Sequence, residues 1–429
     1  MSFRLKYGKG EITFRLGRER RVKVISPPGS DRPESDREVG ARDLLAEALK
    51  HPLASASLAD LASGARRVVI SIPDGTRPPV ARQILSDVLD EILRSGVDLH
   101  NISIFVASGA HSGAREEDLR HLVGDGVSPA IPIHQNYSRR ASDFKLVGIT
   151  GRGTPIMLNN LLLEADLNVV IGAVAFHYFA GMAGGRKMIV PGACHVETVR
   201  ANHRLTLNDD GMLHPMCRNG SLEGNPVHED MVEGMNYLGN IFLINAVLDG
   251  WGKVREITCG NGVASHLEAV RRAKHLLAIP IGERCDLAIA SAGGYPFDIN
   301  VIQTHKAIDH AAESVRDGGV LVVAAECSGG IGSDSFLPWF GVGDARAVSR
   351  KLLTQYELNG HTALALMKKT ERIKIILVSS LDRAAVGTMG MTSGENLDEA
   401  LAQAEACVGK APLTYVFPTA WGILPVLEV

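Results

Sequence analysis

Four segments of this chain set histidine, lysine or arginine among glycines, and these are the residues able to bind anions, hold a metal or move protons. In PDGTRPPV, Asp74, Gly75, Thr76 and Arg77 follow a short apolar run. Asp, Gly and Pro are turn residues, so a plain turn is one reading. The other is an anion cradle, with the Gly75 backbone and the Thr76 hydroxyl donating beside the Arg77 guanidinium. The spaced Gly-Lys-Ser/Thr ending of a P-loop is missing. In ASGAHSG, His111 lies between Gly109 and Gly113, as a structural or exposed histidine or as a proton-transfer group. FHYFAGMAGGRKMIVPG is the strongest segment. There Gly181, Gly184 and Gly185 free the backbone around His177 and Lys187, and such a loop does not gather a histidine, an arginine and a lysine for packing. Sixteen residues beyond Lys187, His203 in VRANHRL falls on a predicted helix. His111, His177 and His203 together point either to a metal site or to a pair of acid/base groups. Last, AGGYPFDINVIQTHKAI opens a helix with a Gly-Gly turn and puts Gln303 and Lys306 on one helical face. That pair is either a solvated surface or an amide and a cation near a helix start, where an anion is favoured.

These loops need a scaffold, and the sequence repeats one grammar: a β-branched apolar run, a Gly-rich loop, then a helical pattern. Runs at 68–72, 102–107, 169–173, 287–290 and 320–325 all end in such loops. The alternation predicts an α/β fold with doubly wound sheets, whose ligands sit at the carboxyl ends of the strands. Residues 3–16 read as a hairpin turning at 8–10, the polar stretch 26–36 as an exposed loop, and residues 39–62 as a helix. Residues 241–248 and 255–259, joined by DGWGK, read as an antiparallel hairpin, followed by a helix over 263–277. Ile279-Pro280 reads as a linker. The expected organisation is thus an N-terminal domain over 1–277 and a C-terminal α/β domain over 281–411. The tail 412–429 either completes the second sheet or returns to the first domain.

The chain has 429 residues, 45% hydrophobic and 22% charged, with a formal net charge of -3. Length and apolar content suit two domains with full cores. The charge provides no general attraction for nucleic acid or an anionic membrane, so a small-molecule enzyme is the expectation. Six cysteines without a C-x-x-C pair argue against a zinc ribbon or a disulfide framework and suit a reducing cytoplasm. The start has no apolar signal core, and the longest apolar stretches, 169–176 and 241–248, fall short of the ~20 residues that span a bilayer.

The ordered set D-G-T-R-P, G-A-H, H-Y-F-A-G-M-A-G-G-R-K-x-I-x-P-G, N-H and G-G-Y-P-x-D-x-N-x-x-Q-x-x-K resembles the lactate racemase family over nearly the whole chain. The resemblance implies two α/β domains around an interdomain cleft. It also implies a nickel-pincer nucleotide, a pyridinium-3-thioamide-5-thiocarboxylic acid mononucleotide carrying Ni(II), made by separate cofactor-synthesis enzymes. By motif, Lys187 resembles the lysine that holds this group as a thioamide, and His203 the histidine that completes nickel coordination. His111 and His177 resemble the two catalytic bases, and Asp74 a cofactor-loop acid. Arg77 resembles the residue meeting substrate or cofactor anions, and Gln303 and Lys306 the substrate clamp of the second domain. The implied reaction inverts C2 of a 2-hydroxy acid: the pyridinium accepts a hydride while a histidine takes the hydroxyl proton. Sulfur and imidazole donors in a planar field suit Ni(II). Members acting on lactate carry an Arg where this chain has Ser112 and an aromatic where it has Ile302, and His305 adds a polar group beside the clamp. The expected substrate is therefore another 2-hydroxy acid, longer or more polar than lactate. Racemisation and epimerisation, and the oligomeric state, stay open. An NAD-dependent dehydrogenase would want a strand-linked G-x-G-x-x-G, and a zinc hydrolase an H-E-x-x-H helix, neither of which the candidate loops provide. A non-catalytic cofactor-binding homologue is the third alternative.

Overall fold

The computed structural model describes residues 1–17, 20–27, 40–111, 113–409 and 411–428. The chain divides into two compact α/β units. One comprises Arg32–Leu205 and Met216–His275, the other Met1–Asp31, Thr206–Pro215 and Leu276–Val429.

The first unit is built on a six-stranded sheet. Its order is Val254–Gly260, Ile241–Leu248, Leu167–Val174, Val68–Pro73, Ile102–Ala107 and Ile133–Gln135. Neighbours run parallel except for the first pair, the antiparallel hairpin expected from DGWGK. Val68–Pro73 is buried along its whole length, as an apolar run between parallel neighbours must be. The loops carrying Arg77, His111 and His177 therefore leave the carboxyl ends of three adjacent strands. The helix expected over 39–62 is instead two, Ala41–Lys50 and Leu58–Ala62. Pro52 disfavours the helical conformation at His51. The N–H of Leu53 then donates to the Cys259 carbonyl at the sheet edge, and the Ser57 side chain caps the second helix.

The second unit carries an all-parallel sheet in the order Thr392–Gly394, Lys374–Val378, Val315–Ala324, Cys285–Ser291, Leu413–Phe417 and Arg21–Val24. Strands fall near residues 287, 320 and 373, as the sequence suggests. The tail completes this sheet through Leu413–Phe417 rather than returning to the first unit. Ala278–Ile281 is not a linker but a short strand paired with Leu424–Leu427, and Pro280 is accommodated because that strand has one neighbour. The N-terminal hairpin, Ser2–Tyr7 with Gly10–Arg15, forms as expected but belongs to this unit rather than to the first. Leu5, Phe14 and Leu16 are buried against Leu287, Val320 and Val416. At about 1.5–3 kcal/mol for each such side chain, that burial is reason enough for where the hairpin lies. The exposed loop read at 26–36 lies largely outside the described residues, as does Ser112. Among the described residues no helix is long and apolar enough to cross a membrane.

Candidate active site

Asp74 closes its loop by an Asx turn: its Oδ1 accepts the Thr76 N–H at 2.9 Å and the Thr76 hydroxyl at 2.6 Å. Its Oδ2 meets Nδ1 of His111 at 2.6 Å. Adjacent parallel strands bring the two residues together although 37 positions separate them. Burial acts to raise the Asp74 carboxyl. The His111 charge and hydrogen bond, the Arg77 charge and the Thr76 hydroxyl outweigh it and hold the group well below the usual carboxylate range. Asp74 is thus a buried carboxylate, and the half-exposed His111 ring stands over it. Arg77, half-buried, contributes charge here. Gly75 is exposed at the turn.

The glycine-rich segment folds as a tight hairpin, Phe176–His177 against Gly181–Met182, followed by the one-turn helix Arg186–Ile189. Gly181 adopts a φ of 74°, and a side chain there would run into the Ser221 carbonyl. Gly185 lies directly on Gly172 of the central strand, a close approach that a side chain on Gly172 would prevent. Its N–H donates to Asn245 at 2.8 Å, while the neighbouring Gly184 packs against His266.

The Phe179 ring is the hub of the site. The His177 ring packs edge-on to it with centroids 4.5 Å apart, and the His203 ring sits at 4.9 Å. The Lys187 ammonium lies 5.3 Å from its centroid, and that side chain is buried. His203 sits in the last turn of the helix Val196–Arg204, its Nδ1 3.1 Å from Oδ1 of Asn202. His111 is tied to this group through the backbone: the Gly109 N–H donates to the Gly192 carbonyl, and the Gly192 N–H to the Lys187 carbonyl, each at 2.9 Å. The structure thus gathers His177, Lys187 and His203 around one ring and couples the Asp74–His111 pair to them.

In the second unit, Asn300 caps the helix Val301–Ala312, and Lys306 donates to Oε1 of Gln303 at 2.7 Å. Gln303 is buried and Lys306 half-buried, so the pair is not a solvated helix face. The expectation for His305 is corrected. It is fully buried in the core of its own unit, and burial, helped by the Lys369 charge, pulls its imidazole down to about 3.

One feature of the site has no local sequence signal, and the arginine of the glycine-rich loop proves to be structural. Phe179 reads as an ordinary apolar residue, yet three candidate groups touch it. Arg186 is fully buried and pins the hairpin, donating to the carbonyls of Ala180 and Met182 at 3.1 and 2.9 Å and to Nδ1 of His228 at 2.9 Å. Burial pulls its guanidinium down to about 9.

The residues present fit a pincer-type nucleotide. A buried amine, able to bond a planar group covalently, and a histidine, able to add one imidazole to a metal, flank one aromatic ring. Among the described residues no three His, Cys, Asp or Glu side chains gather as a metal centre.

A family model described as the lactate racemase N-terminal domain matches residues 7–213, and one described as the lactate racemase C-terminal domain matches 282–424. The chain is 32% identical over 426 residues to a lactate racemase of Thermoanaerobacterium thermosaccharolyticum, covering 96% of each protein. It is 29% identical over 427 residues to a lactate racemase of Lactiplantibacillus plantarum, covering 98% of each. The solved structure of the T. thermosaccharolyticum lactate racemase apoprotein superposes with a TM-score of 0.87 at 30% identity, covering 99% of this chain and all of that one. A Thermotoga maritima protein with a TM-score of 0.66 at 17% identity, covering 86% of this chain and 96% of that one, shares the fold. With both family domains matched and the likeness running end to end, this chain belongs to the lactate racemase family of isomerases.

Proposed function

We propose that the chain inverts C2 of a 2-hydroxy acid with a nickel-pincer nucleotide held on Lys187. The observation that carries this reading is the convergence of His177, Lys187 and His203 on the Phe179 ring, beside the Asp74–His111 pair. When bound, the nucleotide supplies a reversible acceptor for the C2 hydride. Lys187 would anchor it through its buried side-chain nitrogen, the nucleophile that amide-type bonding needs. His203 would add its imidazole to nickel.

The proton chemistry belongs to the histidines. The Asp74 carboxylate can only accept, so it receives Nδ1–H of His111 and leaves Nε2 with the lone pair, the arrangement of a general base oriented by a buried acid. His111 takes the hydroxyl proton of one enantiomer at Nε2, and His177 serves the other. Arg77 meets anionic groups of substrate or cofactor at the exposed Gly75 turn, whereas the Thr76 hydroxyl, read from the sequence as an anion donor, is spent on Asp74. The Gln303–Lys306 pair provides an amide and a cation of the kind that suits a substrate carboxylate.

The proposed substrate is a 2-hydroxy acid longer than lactate. With His305 buried, that part of the reading rests on Ile302 standing where lactate-acting members carry an aromatic. Intact mass and peptide mapping of protein matured with cofactor-synthesis enzymes, with nickel measured on the same sample, test the anchoring. An adduct on the Lys187 peptide with nickel is expected. An unmodified Lys187 in active enzyme would refute it, and zinc with no adduct would favour a hydrolase.

A further inference from the structure

We infer that Asn202, itself locked by Asp230 and Thr150, is a positioning residue that fixes which nitrogen of the His203 ring carries the proton, and therefore which is offered to a metal. The consequence rests on reading His203 as the nickel ligand. The geometry does not.

The hydrogen bonds leave no freedom of assignment. Asn202 is wholly buried on the inner face of its helix. Its side-chain nitrogen lies 3.2 Å from the Val227 carbonyl and 2.8 Å from Oδ2 of Asp230. A backbone carbonyl only accepts, so the NH2 end of the amide must be at that side. The end facing Nδ1 of His203 is then the amide oxygen, which also only accepts. Nδ1 must donate, and in a neutral imidazole Nε2 keeps the lone pair.

Asp230 is fixed in turn. It is fully buried on the helix Pro226–Asn236, and its Oδ1 takes the Thr150 hydroxyl. That hydroxyl oxygen accepts the Thr154 N–H at 3.0 Å, so its proton has to go to Asp230. A chain of four side chains, Thr150, Asp230, Asn202 and His203, is thereby polarised from two backbone groups that cannot reverse, the Thr154 N–H and the Val227 carbonyl. Outer partners of metal-bound histidines that set tautomer and ring orientation are worth about 10- to 100-fold in metal affinity.

The test reads the tautomer in the full chain purified without cofactor, labelled with 15N-histidine. Long-range 1H–15N correlation spectra are taken about two pH units above the ordinary imidazole pKa of about 6.5, with His203→Gln assigning the signal. The wild-type ring should be the Nδ1–H form. Asn202→Ala should give a mixture of both tautomers. Thr150→Ser, which keeps the hydroxyl, should retain the wild-type pattern. In matured protein, Asn202→Ala should weaken nickel retention by about 10- to 100-fold while the Lys187 adduct persists. An Nε2–H ring in the wild type overturns the inference whether or not any variant folds, as does an unchanged ring in Asn202→Ala. Tautomer shifts as expected in a protein that takes up no nickel would instead support the positioning and remove the proposed function.

Discussion

Replacing Asp74 by Asn should cost more activity than replacing it by Ala, although Asn is the closer mimic. Two donors, the Thr76 N–H and hydroxyl, converge on Oδ1 of Asp74, while Oδ2 faces Nδ1 of His111 at 2.6 Å. In Asp74→Asn the amide oxygen must take the Oδ1 position, because an NH2 there would face both donors. The NH2 then points at His111 and donates to Nδ1, forcing the proton onto Nε2, the nitrogen required as the base. Loss of a general base is worth about 10²- to 10⁴-fold, or about 3–5 kcal/mol of barrier at 1.36 kcal/mol per tenfold. Asp74→Ala leaves the ring unoriented but free to adopt the productive tautomer, so a loss of about 10- to 100-fold, below the full worth of the base, is expected. The assay is kcat in both directions on samples matched for cofactor by intact mass. Near-wild-type activity in Asp74→Asn, or a greater loss in Asp74→Ala, would refute the tautomer argument.

Arg186→Lys should lower thermal stability and cofactor loading together, since an ammonium cannot reproduce the fork that reaches Ala180, Met182 and His228; unchanged melting and loading would contradict it. Burial, with the Arg186 charge, pulls His228 down to about 3, His305 is likewise pulled to about 3, and His266 falls well below its ordinary value. Between about pH 6.5 and 3 the unfolded chain binds the additional protons, so stability should fall as pH falls, by up to about 1.4 kcal/mol per pH unit for each histidine. Denaturant unfolding between pH 7 and 5 checks the sign, and stability that holds or rises would be the wrong result. Across a panel of single-enantiomer 2-hydroxy acids, turnover should be better on chains longer than lactate, such as aldonates; lactate as the best substrate would overturn the Ile302 argument.

The candidate loops are legible because β-branched runs ending in glycine, histidine and charge are uncommon for packing alone, and they fall at strand ends as that pattern requires. What stayed hidden was non-local. Nothing near Asp74 announces His111 as its partner, since the pairing depends on which strands are neighbours. Asp230 lies 28 positions from Asn202 on another helix. The N-terminal hairpin was visible as a hairpin, but its unit was decided by where Leu5, Phe14 and Leu16 find apolar surface. His305 looked available because helix Val301–Ala312 is rich in polar residues, yet that helix is buried almost all round. The break at Pro52 was written in the sequence, and the apolar periodicity on either side obscured it.

The central claim is that the hydrogen leaving C2 returns to the same carbon. Matured enzyme is incubated in ordinary water with a single-enantiomer 2-hydroxy acid carrying deuterium at C2, using whichever acid of the panel is inverted, and the product enantiomer is examined by NMR and mass spectrometry. Retention of deuterium in the inverted product is the expected result. Its replacement by solvent hydrogen would mean proton abstraction at carbon and would contradict the account.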